Sequence, residues 1–384
     1  MAIAKKVGII NFHYSDHNYG AVLQAASVEH FLKENGIDAK HIDYVSKERE
    51  QKGVSETLKN ILKKLGIFDN IKKLLGKDVH LKHEVENSVV FEDFRNKWLT
   101  RTERFNSFER LKKYPLDFEA VIVGSDQVWR PTQFNQYSDY KVYFLSFVPS
   151  HIKKISYAAS FGVDHWEVSN KIINDEIKSY VRDFSAVSVR EDSGLKICSS
   201  VFGITAEHVL DPTLLVGRHF FEQIIESESD NENTTNEIVY YKLDVNEEFL
   251  KSAVKLGEWQ SKKVKNIYYK LNHHIYEYYS VPEWLGNIKN SDFVITDSFH
   301  CVCFCILFEK EFLCCVNESR GLSRLQSLLG MFNLSDRICS SNDDFTSKVA
   351  SLAPINYMQV NKLLEQKRYH SKRFLLDSLS LTGY

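Results

Sequence analysis

The sequence predicts an α/β protein built from two units, each a mostly parallel sheet covered by helices. Two observations carry this. Short apolar runs alternate with amphipathic stretches along most of the chain, the pattern of parallel strands joined by crossover helices. The alternation stops at 226–236, which is polar and nearly free of apolar residues, and then starts again. With 384 residues, 43% of them hydrophobic, the chain has enough apolar material for two cores.

The first half opens with the apolar run Val7 to Phe12. A polar loop, His13 to Gly20, leads into apolar residues at helical spacing from Ala21 to Leu32. Gly36 ends that helix, and Ala39 to Tyr44 reads as a second strand. Residues 46–115 then interrupt the pattern as a helical insertion. Val54, Leu58, Ile61, Leu62 and Leu65 recur at helical spacing, and so do Val90, Phe91, Phe94 and Trp98. Strands resume at 118–123, 154–159 and 186–189, with helices near 167–183 and 191–200. The second half predicts strands at 238–243, 264–269, 293–296 and 312–316, and helices at 246–260, 282–290, 300–309 and 320–330. The expected organisation is a first lobe over 1–215, a second over 216–355, and a basic helical tail over 356–384.

Composition excludes some partners. Lys plus Arg number 49 against 51 Asp plus Glu, so no global charge draws nucleic acid. The run Val7–Phe12 is too short for a signal peptide, and nothing approaches the ~20 apolar residues of a membrane span. A cytoplasmic protein is expected. The Lys-rich segment 54–77 has two readings: a helix packed on the first lobe with its lysines in water, or one lying on anionic lipid at the inner membrane face. The seven cysteines lack CxxC spacing and read as buried thiols, so neither a metal site nor a bound cofactor is expected.

Four strand ends carry polar groups, the place where α/β sheets present ligand-binding residues. In Val121–Pro131 the run ends in Gly124, Ser125, Asp126 and Gln127. Gly124 would let backbone approach a ligand, and Trp129 either stacks on a sugar or packs in the core. In Phe293–His300 a strand delivers Asp297, Ser298 and His300 to a helix start, where an anion is favoured. In Ser188–Gly194 the junction holds Arg190, which suits a carboxylate or phosphate. After Phe312–Val316 come Arg320 and Arg324, four apart and on one helical face.

These motifs together resemble the polysaccharide pyruvyltransferase family. The runs are NYGAVLQAASVEHFL (18–32), DFEAVIVGSDQVWRP (117–131), KISYAASFG (154–162), AVSVREDSG (186–194), VLDPTLL (209–215), SDFVITDSFHCVCFCILFEKEF (291–312) and RGLSRLQSLL (320–329). The resemblance implies two Rossmann-like lobes in a GT-B-type arrangement, with the site in the cleft between them. It implies transfer of pyruvate from phosphoenolpyruvate to a hexose as a cyclic ketal. The acceptor would be a capsular, exopolysaccharide or cell-wall glycan, or its polyprenyl-linked precursor. It also implies that an Arg after the SVR strand and an Arg-x-His element grip the donor. These fall on Arg190 and His300, but the second Arg falls on Ser298, so Arg320 or Arg324 is expected to supply the missing cation. Cys301 stands where a small residue is common. The proton donor is expected among Asp126, Asp297 and His300. Asn18, Tyr19 and Gly20, with Gly124, Ser125, Gln127 and Trp129, are expected to face the acceptor. The rival readings are a GT-B glycosyltransferase using a sugar nucleotide and a non-catalytic glycan-binding protein. The donor reading requires Arg190 and His300 to meet in one cleft.

Overall fold

The structure is a computed structural model and describes residues 5–45, 84–130, 139–228, 236–316 and 322–380. Its strands are β1 (Lys6–Ile10), β2 (Asp38–His41), β3 (Val85–Glu86), β4 (Ala120–Gly124), β5 (Lys153–Ala159), β6 (Ala186–Val189) and β7 (Glu207–His208). They continue with β8 (Glu237–Tyr241), β9 (Lys263–Asn266), β10 (Tyr269–Asn272), β11 (Ile275–Tyr278), β12 (Phe293–Thr296), β13 (Glu311–Val316) and β14 (Ile338–Ser340). The first lobe holds a six-stranded sheet in the order β2-β1-β4-β5-β6-β7, and the second a five-stranded sheet in the order β14-β13-β12-β8-β9. Every pairing in both is parallel. Helices on the sheet faces explain why β4 (AVIVG) and β12 (FVIT) are apolar throughout: both are buried along their whole length.

Chain order reverses between β1 and β4 in the first sheet and between β8 and β12 in the second. A crevice opens at such a switch point, outside the carboxyl ends of the strands. The ends of β4 and β12 are those that carry Gly124–Asp126 and Asp297–His300.

The expected strand 264–269 is two pieces. The Asn266 side chain accepts the Tyr268 N–H at 2.8 Å and turns the chain after β9. The chain then enters the antiparallel pair β10–β11, which β3 joins in parallel. Elements as short as β3, β7 and β14 show no periodicity to read.

The lobes share apolar packing. The helix Tyr19–Glu34 is rich in small residues and buried on nearly every side. Its Tyr19, Val22 and Ala26 join one core with Trp284, Phe304 and Val281 of the second lobe. The helix Tyr357–Leu379 is a strap rather than a separate tail. Val360 and Leu364 pack in that shared core, whereas Phe374, Leu375 and Leu379 pack with Val7, Ile9 and Phe31 of the first lobe. All seven cysteines are free and buried. Among the described residues no helix is long and apolar enough to cross a membrane. The segment 54–77 and Arg320 lie outside the described residues.

Candidate active site

Each lobe sends groups to the boundary between them. After β4, Ser125 and Asp126 take positive φ of 33° and 61°, a conformation that costs a non-glycine residue of order 1 kcal/mol or more. The turn aims Asp126 at Arg190, whose Nη2 lies 3.8 Å from Asp126 Oδ1. Arg190 leaves the end of β6, fully buried. Its Nη1 donates to Asp211 Oδ2 at 3.0 Å. The Ser125 hydroxyl donates to the same oxygen at 2.6 Å.

The second lobe closes the cluster. His300 stands in the first turn of the helix Phe299–Leu307. Its Nε2 lies 3.5 Å from Arg190 Nη1 and 3.5 Å from Asp211 Oδ2. The ring of Phe299 lies beneath the Arg190 guanidinium, 4.1 Å away. Gly20 makes room for the imidazole, since a Cβ there would lie 2.1 Å from His300 Nδ1. Arg190 and His300 therefore meet across the lobes, as the donor reading requires.

Arg324 lies on the first turn of the helix Leu322–Met331. Ser327 of that helix accepts the Asp192 N–H at 3.1 Å, which pins the helix to the first lobe. Burial, and next the neighbouring Arg190 charge, push the Arg324 guanidinium down to about 10, still protonated at neutral pH. Asp126 and Glu191 oppose that fall. The buried Nε and Nη2 of Arg190 and Nε of Arg324 make no hydrogen bond, with Arg190 Nη2 3.8 Å from Asp126; Nε of Arg130 faces Glu167 Oε2 at 3.5 Å. Buried donors are normally paired, so Arg190 and Arg324 retain hydrogen-bonding capacity at the lobe boundary.

Asp211 and Glu191 were not singled out from the sequence. Burial disfavours the Asp211 carboxylate, but His300, Arg190 and Ser125 hold its pKa well below the usual range. For Arg190, burial is outweighed by Asp211, Asp126 and Glu191, which raise its pKa. Glu191 is buried and accepts from the Phe161 N–H at 2.7 Å and the Ser160 hydroxyl at 3.0 Å. Burial raises its pKa despite Arg190 and Arg324. The sequence signals were Asp before Pro at a helix start, which reads as a cap, and a Glu beside the strand-end Arg.

Several expectations are corrected. Trp129 is fully buried, donates to the Tyr143 carbonyl at 3.0 Å and stacks on Phe144, so it offers no face to a sugar. Tyr19 is buried against Trp284 in a parallel stack 4.8 Å apart, and its hydroxyl donates to the Tyr279 carbonyl at 3.0 Å. Gly124 is required by β5, because a Cβ would lie 2.9 Å from the Tyr157 carbonyl oxygen. Ser125 is buried and committed to Asp211, and Gly20 serves His300. Ser298 caps its helix by accepting the Cys301 N–H at 3.4 Å. Asp297 is held by Lys242 Nζ at 3.3 Å and the Leu243 N–H at 3.1 Å, so it is tied up in a separate ion pair. No such correction applies to Asn18 and Gln127: both are part-buried, Asn18 capping the Tyr19–Glu34 helix and Gln127 accepting from Arg130 Nη1 at 3.0 Å beside Gly162. Among the described residues no three His, Cys, Asp or Glu are grouped to hold a metal.

Two Rossmann-like lobes with charged groups from both meeting at their boundary define a GT-B-type α/β protein. The chain belongs to the polysaccharide pyruvyl transferase family, whose sequence pattern it matches over residues 18–319. Its fold is similar to that of the UDP-GlcNAc 2-epimerase from Neisseria meningitidis, solved with UDP-GlcNAc. The TM-score is 0.50 at 9% identity, covering 98% of this chain and 99% of that one. MnaA of S. aureus, solved with UDP, gives 0.50 at 8% identity, covering 96% and 91%. At such identities the likeness concerns the fold alone. No curated protein sequence matches the chain significantly.

Proposed function

We propose that this chain moves pyruvate from phosphoenolpyruvate to two hydroxyls of a hexose, forming a cyclic ketal on a surface or cell-wall glycan or its lipid-linked precursor. The observation that carries the proposal is the meeting of Arg190, Arg324 and His300 from both lobes, with buried guanidinium N–H groups left unpaired. Phosphoenolpyruvate brings a carboxylate and a phosphate, and two guanidiniums suit such a pair of planar and tetrahedral anions. Arg190 and Arg324 take these groups in the proposal, and the start of the Phe299–Leu307 helix adds its dipole.

A proton from Asp126 or His300 goes to the methylene carbon, whose π electrons form the new C–H bond. This leaves an oxocarbenium centre at the carbon bearing the phosphate oxygen. One sugar hydroxyl adds there, the C–O bond to phosphate breaks, and phosphate leaves with that bond's electron pair. The second hydroxyl adds to the regenerated cation and closes the ring. Of the two hydroxyl protons, one restores the acid and the other leaves on phosphate. Fixed charges need no reorganisation as positive charge develops and phosphate departs. Asn18 and Gln127 are the groups we assign to the acceptor side, and Arg320 to the donor side. Lipid contact through 54–77 is the alternative to packing on the first lobe, and sedimentation with anionic vesicles at low salt decides between them.

The function is tested by incubating the protein with phosphoenolpyruvate and a panel of galactosides and lipid-linked galactose, with UDP-GlcNAc as the rival donor. Acceptor-dependent phosphate release with a mass gain of one pyruvate is expected. Consumption of UDP-GlcNAc in place of phosphoenolpyruvate would overturn the proposal.

A further inference from the structure

Asp211 has no part in the transfer as written, yet the cluster is organised around it. Its Oδ1 accepts the Thr213 N–H at 2.9 Å and the Thr213 hydroxyl at 2.8 Å, which fixes it as the cap of the helix Pro212–Val216. Its Oδ2 accepts from Ser125 at 2.6 Å and from Arg190 at 3.0 Å, and lies 3.5 Å from His300 Nε2. The adjoining backbone is held as well. The Leu210 N–H donates to Ser371 Oγ of the strap helix at 2.9 Å, and the Tyr157 hydroxyl donates to the Leu210 carbonyl at 3.0 Å. The carboxylate cannot turn without uncapping a helix.

Arg190 Nη1 and His300 Nε2 lie 3.5 Å apart. Asp211 Oδ2 is within reach of both, at 3.0 Å and 3.5 Å, and when the imidazole carries a proton on Nε2 it is the acceptor the two share. Without its charge, Asp126 would be the nearest carboxylate left to Arg190, at 3.8 Å from Nη2. The guanidinium would then turn toward Asp126, and its free N–H groups would turn with it.

We infer that Asp211 is the positioning residue of the donor site, fixing the Arg190 fork and the His300 ring as one unit across the lobe boundary without touching the donor. This role rests on the donor reading above. Residues that act as one unit lose their effects together, so a double-mutant cycle reads the role directly. The cycle uses Asp211→Asn and His300→Gln, with KM for phosphoenolpyruvate, kcat and thermal midpoint measured for all four proteins. Asp211→Asn alone is expected to raise KM at least tenfold. In the His300→Gln background it is expected to raise KM less than threefold. Equal effects in both backgrounds would mean a merely structural residue and would overturn the inference. Should Asp211→Asn fail to fold, Ser125→Ala removes one hydroxyl from Oδ2 and leaves the charge in place. It is expected to show the same, smaller non-additivity, and additive losses there would also overturn the inference. A wild type that neither binds nor consumes phosphoenolpyruvate overturns the donor reading and this role with it. An active wild type with additive losses overturns this role alone.

Discussion

Two buried cation–carboxylate pairs stand at strand ends, and they differ in what they leave unused. Lys242, after β8, meets Asp297, after β12, at 3.3 Å and also donates to the Cys315 carbonyl at 3.3 Å. The other Asp297 oxygen takes a backbone N–H, so the pair is closed on itself. Arg190, after β6, also meets its carboxylate, but its buried Nε and Nη2 make no hydrogen bond, Asp126 standing 3.8 Å from Nη2. Burial of charge therefore does not mark a site by itself. A buried ion pair often only breaks even against desolvation, and what distinguishes Arg190 is the binding capacity it has left over.

The comparison can be broken at Arg190 first. Arg190→Ala should cut pyruvyl transfer by on the order of 10^3-fold, the upper range for losing one preorganised charged donor. It should also cost about 3 kcal/mol of stability, because Asp211 stays buried without its partner. Phosphate-release kinetics and urea melts check both effects. Next in size is Gly20→Ala, whose added methyl has no space beside His300. Displacing the ring by about 1 Å should lower kcat/KM roughly 100-fold. Retained activity there would mean that His300 is not held in place by the first lobe.

A third buried group ties stability to pH. His13 is fully buried beside Asp43, and burial brings its imidazole down to about 4, against the opposing hydrogen bond of Asp43. His41 and Arg95 push in the same direction as burial. Below the ordinary value of about 6.5 the unfolded chain binds a proton that the folded chain refuses. Stability should fall as pH drops from about 6.5 towards 4, and His13→Gln should flatten that slope in thermal melts. The smallest effect on transfer is expected at the closed pair. Asp297→Asn should leave kcat/KM within about threefold while costing about 3 kcal/mol of stability, since the amide keeps an acceptor for the Leu243 N–H but leaves Lys242 buried without its counter-charge. A large loss of transfer there would place Asp297 among the working groups and erase the contrast with Arg190.

The strand ends were legible in the sequence because apolar runs that stop abruptly at polar residues follow directly from sheet burial. Arg190, Asp126 and His300 were found that way. Trp129 was not resolved, since a tryptophan after a βα turn has the same pattern whether it faces a sugar or, as here, Phe144. Tyr19 and Gly20 sit in a polar-looking loop, yet they serve packing between lobes, which no local pattern encodes. Asp211 reads as an ordinary helix cap, and its second oxygen's partners come from positions 86, 21 and, by subtraction of 211 from 300, 89 residues away. The expected strand 264–269 runs through the Asn266 turn because that turn carries neither Gly nor Pro, and it reaches only Tyr269 of the hairpin β10–β11.

Guanidinium groups with unused N–H donors at the lobe boundary should bind a small anion that carries both a carboxylate and a phosphate. Calorimetric titration of phosphoenolpyruvate into the wild type and into Arg324→Gln is the direct test, because Arg324 is one of the two arginines, with Arg320, expected to replace the arginine missing at Ser298. Binding by the wild type, weakened at least tenfold in the variant, is the predicted result. Equal affinity in the two proteins, or no binding by the wild type, would contradict it.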